Sequence, residues 1–201
     1  MKARFLSGPL AAVLLALGII GLGALVPGYD PVRQTVSEIG EVGSPMRLPF
    51  ALLLWAVALL VLVFASALRS FARKAGVSTL PAYVTACMAI SAAGVGTFAY
   101  PHPLHNVFGL SEVVGYQAPF VAALAWRRAP GARTLVGFSW ILVAVVWVTF
   151  ALNLMPIFRP AGVWPPLKPI YGLVQRSLFA AWFGWCAGAG LIMARRDRPQ
   201  M

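Results

Sequence analysis

Two ionisable side chains sit where such groups are costly: Glu112 and Arg176 each fall about two helical turns inside a long apolar run. A charge near the centre of a hydrocarbon core costs roughly 2.5 to 3.5 kcal/mol on insertion scales, so each needs a partner or a task. The two runs cross in the same direction and bring the charges to similar depth, which predicts a Glu112–Arg176 ion pair. A buried pair of this kind fixes helix register as readily as it serves chemistry. If the pair meets beneath an open cavity, a ligand site follows; if the two are packed apart, a scaffold role follows.

Other polar groups gather at that level. His105 precedes Glu112 by seven residues and Tyr116 follows it by four, so the three share one helix face. Asn153 lies near the end of the next run, and Tyr171 and Gln175 flank Arg176. With Asp30, Arg33, Ser37 and Glu38 from the polar segment 27–45, and His102, they form a candidate ligand-binding set lining a cavity that opens away from the cytoplasm. Arg176 and Arg33 suit a phosphate or carboxylate, which points to a lipid headgroup or small anionic ligand. No catalytic residue is assigned by this pattern. A hydrolase or transferase would use Glu112, His105 or His102 as acid, base or ligand. Zinc is the alternative cofactor to none: His102 and His105 are weak candidate ligands, with Glu112, Asp30 or Glu38 beside them, but neither spacing is a zinc motif; a resemblance to alkaline-ceramidase-like membrane hydrolases, which use a histidine-rich site with a serine and an aspartate, would make Ser37 the analogue to test. Bis-histidine haem is weaker still, because the two histidines adjoin one another. A proton-coupled transporter would titrate Glu112, and a structural or assembly subunit would use the charges only to orient helices.

The elements that must position these residues are membrane helices. The chain has 201 residues, 60% hydrophobic and 10% charged, with a mean hydropathy of +0.82. An α-helix needs about 20 apolar residues to cross a bilayer, and the sequence offers such runs at 6–26, 48–70, 80–100, 104–126, 134–155 and 169–194. They are apolar all round rather than alternating, which rejects a β-barrel. The expectation is an all-α bundle of six transmembrane helices in a single domain over 1–201, with antiparallel neighbours joined by short loops. Small-xxx-small steps at Gly184/Gly188, Ala92/Gly96 and Ser111/Gly115 mark close helix approaches. No internal repeat stands out.

The net charge of +11 does not point to nucleic acid. Lys2, Arg4, Arg69, Arg73, Lys74, Arg127, Arg128, Arg133, Arg195, Arg196 and Arg198 all fall on one side of the threaded spans, which by the positive-inside rule puts both termini in the cytoplasm. The partners implied are membrane lipids, with oligomeric state left open. A composition rich in Arg, Ala, Gly and Pro fits a GC-rich bacterial genome, hence the bacterial cytoplasmic membrane. The first span is read as a retained anchor, with signal cleavage the minority alternative. Cys87 and Cys186 lie within spans and suggest neither a disulfide nor a zinc framework.

Segment 27–45 predicts a short amphipathic helix between the first two spans. Asp30-Pro31 suits a helix start and Gly40 a stop, with Thr35 and Glu38 as an alternative capping-box start. Val32, Val36 and Ile39 would form its apolar stripe, with Arg33 and Ser37 on one flank and Thr35 and Glu38 on the other. Segment 156–168, crowded with prolines, predicts no regular structure and lies along the headgroups. The run Pro27-Gly28-Tyr29-Asp30 followed by Ser37-Glu38 and Gly40, with Tyr100-Pro101-His102-Pro103-Leu104-His105 after the third span, resembles domain-of-unknown-function family 998 of bacterial and archaeal multi-pass membrane proteins. Many members carry an aspartate where this chain has His102, so a role resting on that carboxylate does not transfer. That family is distantly similar to the Frag1/DRAM/Sfk1 group, a resemblance that implies lipid-related roles by analogy.

Overall fold

The computed structural model describes residues 2–129 and 131–196, so Arg198 lies outside the described residues. Six helices are long and apolar enough to cross a membrane: α1 (Lys2–Ala24), α2 (Arg47–Lys74), α3 (Leu80–Thr97), α4 (Pro103–Ala125), α5 (Arg133–Phe158) and α6 (Trp164–Arg196). They match the six apolar runs of the sequence. The ends move by a few residues where local chemistry decides: α2 runs on to Arg73 and Lys74, cations that suit a helix C-terminus. No strand occurs among the described residues.

Antiparallel threading gives the bundle two ends. The loop end carries the connections 25–46, 98–102 and 159–163; the basal end carries 75–79, 126–132 and residues 2 and 196. The helices form a ring in which α3 packs on α2, α2 on α1, α1 on α6 and α6 on α5. α4 closes the ring only partly, because it is broken in the middle. Pro119 has no N–H to offer the Gly115 carbonyl one turn back, so the helix interrupts at Tyr116 and Gln117, giving α4a (Pro103–Gly115) and α4b (Ala118–Ala125). The Trp182 indole N–H donates to that freed carbonyl at 2.8 Å, which keeps the break satisfied in a place without water. α4b packs on both α3 and α5, whereas α4a packs on α3. The ring is therefore closed at the basal end and open between α4a and α5 at the loop end.

The basal half is solid. Trp126, Trp182 and Trp185 are each 0% exposed and pack with Phe64, Leu68 and Leu135. Their indole N–H groups all find acceptors: Trp126 donates to the Ser78 carbonyl at 2.9 Å and Trp185 to Ser139 Oγ at 2.9 Å. Each of the three small-residue steps sets one glycine against a neighbour. A Cβ on Gly188 would lie 2.2 Å from the Phe138 ring, one on Gly115 2.5 Å from Met88 and one on Gly96 3.0 Å from Leu54, while Gly184 faces open space. Ser111 adds a direct link from α4a to α3 through Ser91, 2.7 Å away. Cys87 and Cys186 are unpaired thiols, half-buried and buried.

Two connections depart from expectation. Segment 27–45 does not form a helix from Asp30. Asp30 Oδ1 instead accepts from the Val32 N–H at 2.9 Å in a tight turn, and only Val36–Gly40 is helical, as a 3-10 turn. The alternative start is the one used: the Glu38 carboxylate reaches back to the Thr35 N–H at 2.7 Å and to its hydroxyl at 2.8 Å. Accordingly Val36 and Ile39 are buried while Val32 stays exposed. Gly40 ends the turn for a reason other than left-handed backbone: a Cβ there would sit 2.2 Å from Phe50. Segment 156–168 does contain regular turns, at Met155–Phe158 and Trp164–Leu167, because its prolines fall early in each turn, where no N–H is needed.

Candidate functional site

The connection 27–45 is fastened over the loop end by α6. Arg176 Nη1 donates to the carbonyls of Pro31 at 2.8 Å, Gln34 at 2.9 Å and Gly172 at 2.9 Å, and Nη2 donates to the Tyr29 hydroxyl. A Cβ on Gly172 would come within 2.4 Å of the Gln34 carbonyl oxygen, so only glycine lets the loop carbonyls approach the helix this closely. Tyr29 is half-buried, and burial raises its pKa against the pull of the Arg176 guanidinium. It stays neutral and donates to the Thr35 carbonyl at 2.8 Å. Gln175 Oε1 accepts from the Val36 N–H at 2.7 Å, and the Val42 N–H donates to the Tyr100 carbonyl at 2.8 Å.

The predicted Glu112–Arg176 ion pair does not form: the two are packed apart, the arrangement that the sequence tied to a scaffold role, although the cavity expected beside Glu112 is present. Arg176 is half-buried, and the carbonyls of Pro31, Gln34 and Gly172 take up its Nη1 donors without any carboxylate. Glu112 instead accepts from the Tyr116 hydroxyl through Oε2 at 2.9 Å. Among the described residues the ion pair present is Asp30–Arg33, at 3.5 Å and on the surface, where such pairs contribute little.

Beneath the loop lies a cavity of about 550 Å³ between α4a, α5, α6 and the 3-10 turn. Of the predicted set, Glu112, His105, Tyr116, Asn153, Gln175, Ser37 and Glu38 line it, together with Tyr171, Asn106, Gly109 and apolar residues of α5 and α6. Asp30, Arg33 and Arg176 do not. Arg33 lines a second, outer recess with Lys168, Trp164 and Pro169, and Thr35, Glu38 and Tyr171 are shared by recess and cavity. On the inner side a small apolar pocket of about 50 Å³, walled by Val57, Met88, Phe179 and Phe183, shares Ser37, Glu112 and Tyr116 with the cavity. The three spaces run from a charged rim, where Arg33 and Lys168 stand beside Glu38 and Asp30, through a chamber of mixed polar and apolar lining to an apolar floor.

The break in α4 places two of the lining groups. Glu112 lies one turn before it and Tyr116 on it, so both polar groups project where the ring is open. Asn153 is held by its carboxamide, which donates to the Thr149 carbonyl at 2.8 Å and to the Val174 carbonyl at 3.0 Å. The two histidines have separate positions. His102 caps α4, accepting from the Leu104 N–H at 3.1 Å, is exposed, and stacks on Phe98. His105 is buried, with Nδ1 2.7 Å from the Phe98 carbonyl and Nε2 3.0 Å from Ser37 Oγ. No group of three or more His, Cys, Asp or Glu is placed to hold a metal among the described residues. Sequence reasoning missed Asn106, Gly109 and the outer recess; the i, i+3 spacing of Asn106, Gly109 and Glu112 was the signal for the first two.

Residues 9–192 match a family described as Protein of unknown function (DUF998), and the chain belongs to that family. With six apolar helices, it is a multi-pass membrane protein. Comparison with curated proteins and with solved structures gave no match.

Proposed function

We propose that this member of the DUF998 family takes a lipid or another long-chain amphiphile with an anionic head into the loop-end cavity, from the leaflet facing away from the cytoplasm. The observation that carries the reading is the cavity's passage from charged rim to apolar floor combined with its side opening. The anionic head belongs at the rim beside Arg33 and Lys168, and the glycerol and ester region at the level of Ser37, His105, Glu112 and Gln175. The inner pocket holds only a few methylenes, so the chain leaves between α4a and α5, past the exposed Val107, Leu110 and Ile157. Arg176, which the sequence suggested as the anion's seat, holds the roof of the cavity instead. The cationic basal clusters supply the orientation, with the basal end in the cytoplasm of a bacterial cell. The reading needs no cofactor.

The test is a plug. Gly109 lines the cavity and a Cβ on it meets nothing within 4 Å, so the bulk of Gly109→Trp enters the cavity space. Lipid retained through purification, measured by mass spectrometry, is expected to fall at least about tenfold in the variant, a change of roughly 1.4 kcal/mol. Equal retention in both proteins sinks the reading. A scaffold role is the second reading, and two observations favour it: Glu112 and Arg176 are packed apart, and the half-buried guanidinium pins the loop. It expects Gly109→Trp to change nothing and Arg176 substitutions alone to do harm.

A further inference from the structure

We infer that Ser37 is a nucleophile with His105 as its general base, and that the cavity transfers the acyl group of an ester-bearing lipid to water. The inference rests on the amphiphile reading above and names the chemistry at that site. A carbonyl oxygen can only accept, so the 2.7 Å contact with Phe98 places the proton on His105 Nδ1. Nε2 then presents its lone pair to Ser37 Oγ at 3.0 Å and accepts the hydroxyl hydrogen. A hydroxyl, a base within reach and a third group that fixes the base's tautomer is the arrangement that activates a serine. The imidazole is held rigidly: it is 6% exposed, and the Tyr100 ring meets it edge-on at 5.8 Å between centroids.

A second feature sits beside the first. Gln175 Oε1 is occupied by the Val36 N–H, one residue before the serine, and Gln175 Nε2 has no acceptor among the described residues. Gln175 lines the same cavity as Ser37. An uncommitted amide donor next to a nucleophile is what a developing oxyanion requires. Ser37 also lies on the boundary between polar cavity and apolar pocket, where a membrane lipid carries its ester carbonyls.

The chemistry balances without an oxidant or reductant. Ser37 Oγ bonds to the ester carbonyl carbon as His105 Nε2 takes its proton. The bond from that carbon to the alkoxy oxygen breaks, and the departing alcohol takes the proton from His105. Water, deprotonated in turn by Nε2, attacks the acyl-Ser37 carbonyl; the bond from that carbon to Oγ breaks, Oγ takes the proton back from Nε2, and the fatty acid leaves.

The experiment uses the full chain in vesicles of phosphatidylglycerol and phosphatidylcholine, treated with a long-chain alkyl fluorophosphonate. This probe forms an O–P bond with an activated serine and releases fluoride. The expected result is an adduct on the peptide bearing Ser37, formed at least about a hundredfold more slowly in His105→Ala. Gln175→Glu keeps the acceptor for the Val36 N–H and removes the donor, and is expected to slow labelling by about tenfold or more. Lipid retention is measured on the same preparations. Wild-type protein that retains lipid but gives no adduct at Ser37 overturns the inference and leaves the amphiphile reading standing. Labelling at an undiminished rate in His105→Ala also overturns it. An adduct on protein that retains no lipid supports the serine and sinks the amphiphile reading.

Discussion

The same six helices build a solid half and a hollow half. At the basal end three tryptophans with no exposed surface fill the ring, each with its N–H bonded across to a neighbour. At the loop end the ring holds a cavity, and the Glu112 carboxylate on its wall meets, among the described residues, the Tyr116 hydroxyl. The difference lies in one proline and the residue sizes on either side of it. The basal interior is filled by Trp126, Trp182 and Trp185, whereas around the cavity Ser37, Gly109, Glu112 and Asn153 stand among aromatic and aliphatic neighbours such as Phe150 and Phe179. Dense packing in one half would let the other be hollow at little cost to the fold, which is a division that mutation can test. A path through the whole membrane would have to cross the tryptophan layer, so the comparison supports a site entered from one side more than a transporter.

The largest effect that could break this division is at its base. Trp182→Ala removes a side chain with no exposed surface and strips the Gly115 carbonyl of its donor. The expected cost is about 3 to 5 kcal/mol from the cavity, and more from the orphaned carbonyl. Glu112→Gln, which still accepts from Tyr116, is expected to cost less than about 1 kcal/mol. Reversible unfolding in mild detergent measures both. Equal destabilisation would show that the hollow half carries as much of the fold as the solid one.

A middle-sized effect belongs to the seam between loop and helix. Arg176→Met keeps the stem but loses the donors to the Pro31 and Gln34 carbonyls, a loss of about 2 kcal/mol for bonds to a charged group. Because the damage is local, trypsin cleavage after the exposed Arg33 is expected to accelerate before global unfolding does. Unchanged cleavage would mean that Gln175 and the Gly172 contact hold the roof without the cation.

How much of this the sequence disclosed follows the same line. Six spans were legible because a helix in lipid must be apolar over a fixed length, and nothing else in the chain competes for that pattern. His105, Glu112 and Tyr116 were legible as one face because their spacing is local to a helix. What Arg176 bonds to was not, because backbone carbonyls have no sequence signature and a carboxylate at the right depth was the visible alternative. The Asp30 helix was misplaced for a related reason. Two capping signals overlapped, at Asp30-Pro31 and at Thr35 with Glu38, and tertiary contacts from α6 to residues 31, 34 and 36 chose the second. Segment 156–168 was read as irregular by counting prolines, without regard to their falling at the first positions of turns.

The smallest effect tests where the boundary itself lies. Pro119→Ala returns an N–H to the position facing the Gly115 carbonyl, where it competes with the Trp182 indole. Continuous helix through Tyr116 and Gln117 would swing α4a toward the line of α4b, which already packs on α5, and so narrow the side opening. The gain of one helical bond is offset by the partial loss of another, so the melting temperature is expected to stay within about 2 °C. Exchange of a fluorescent lipid into the cavity, by contrast, is expected to slow severalfold. If exchange is unchanged, the opening is set by Gly115 against Met88 and by the tryptophan rather than by the proline. If instead the protein melts as early as Trp182→Ala does, the break is part of the solid half, and the hollow half begins nearer the loop than Glu112.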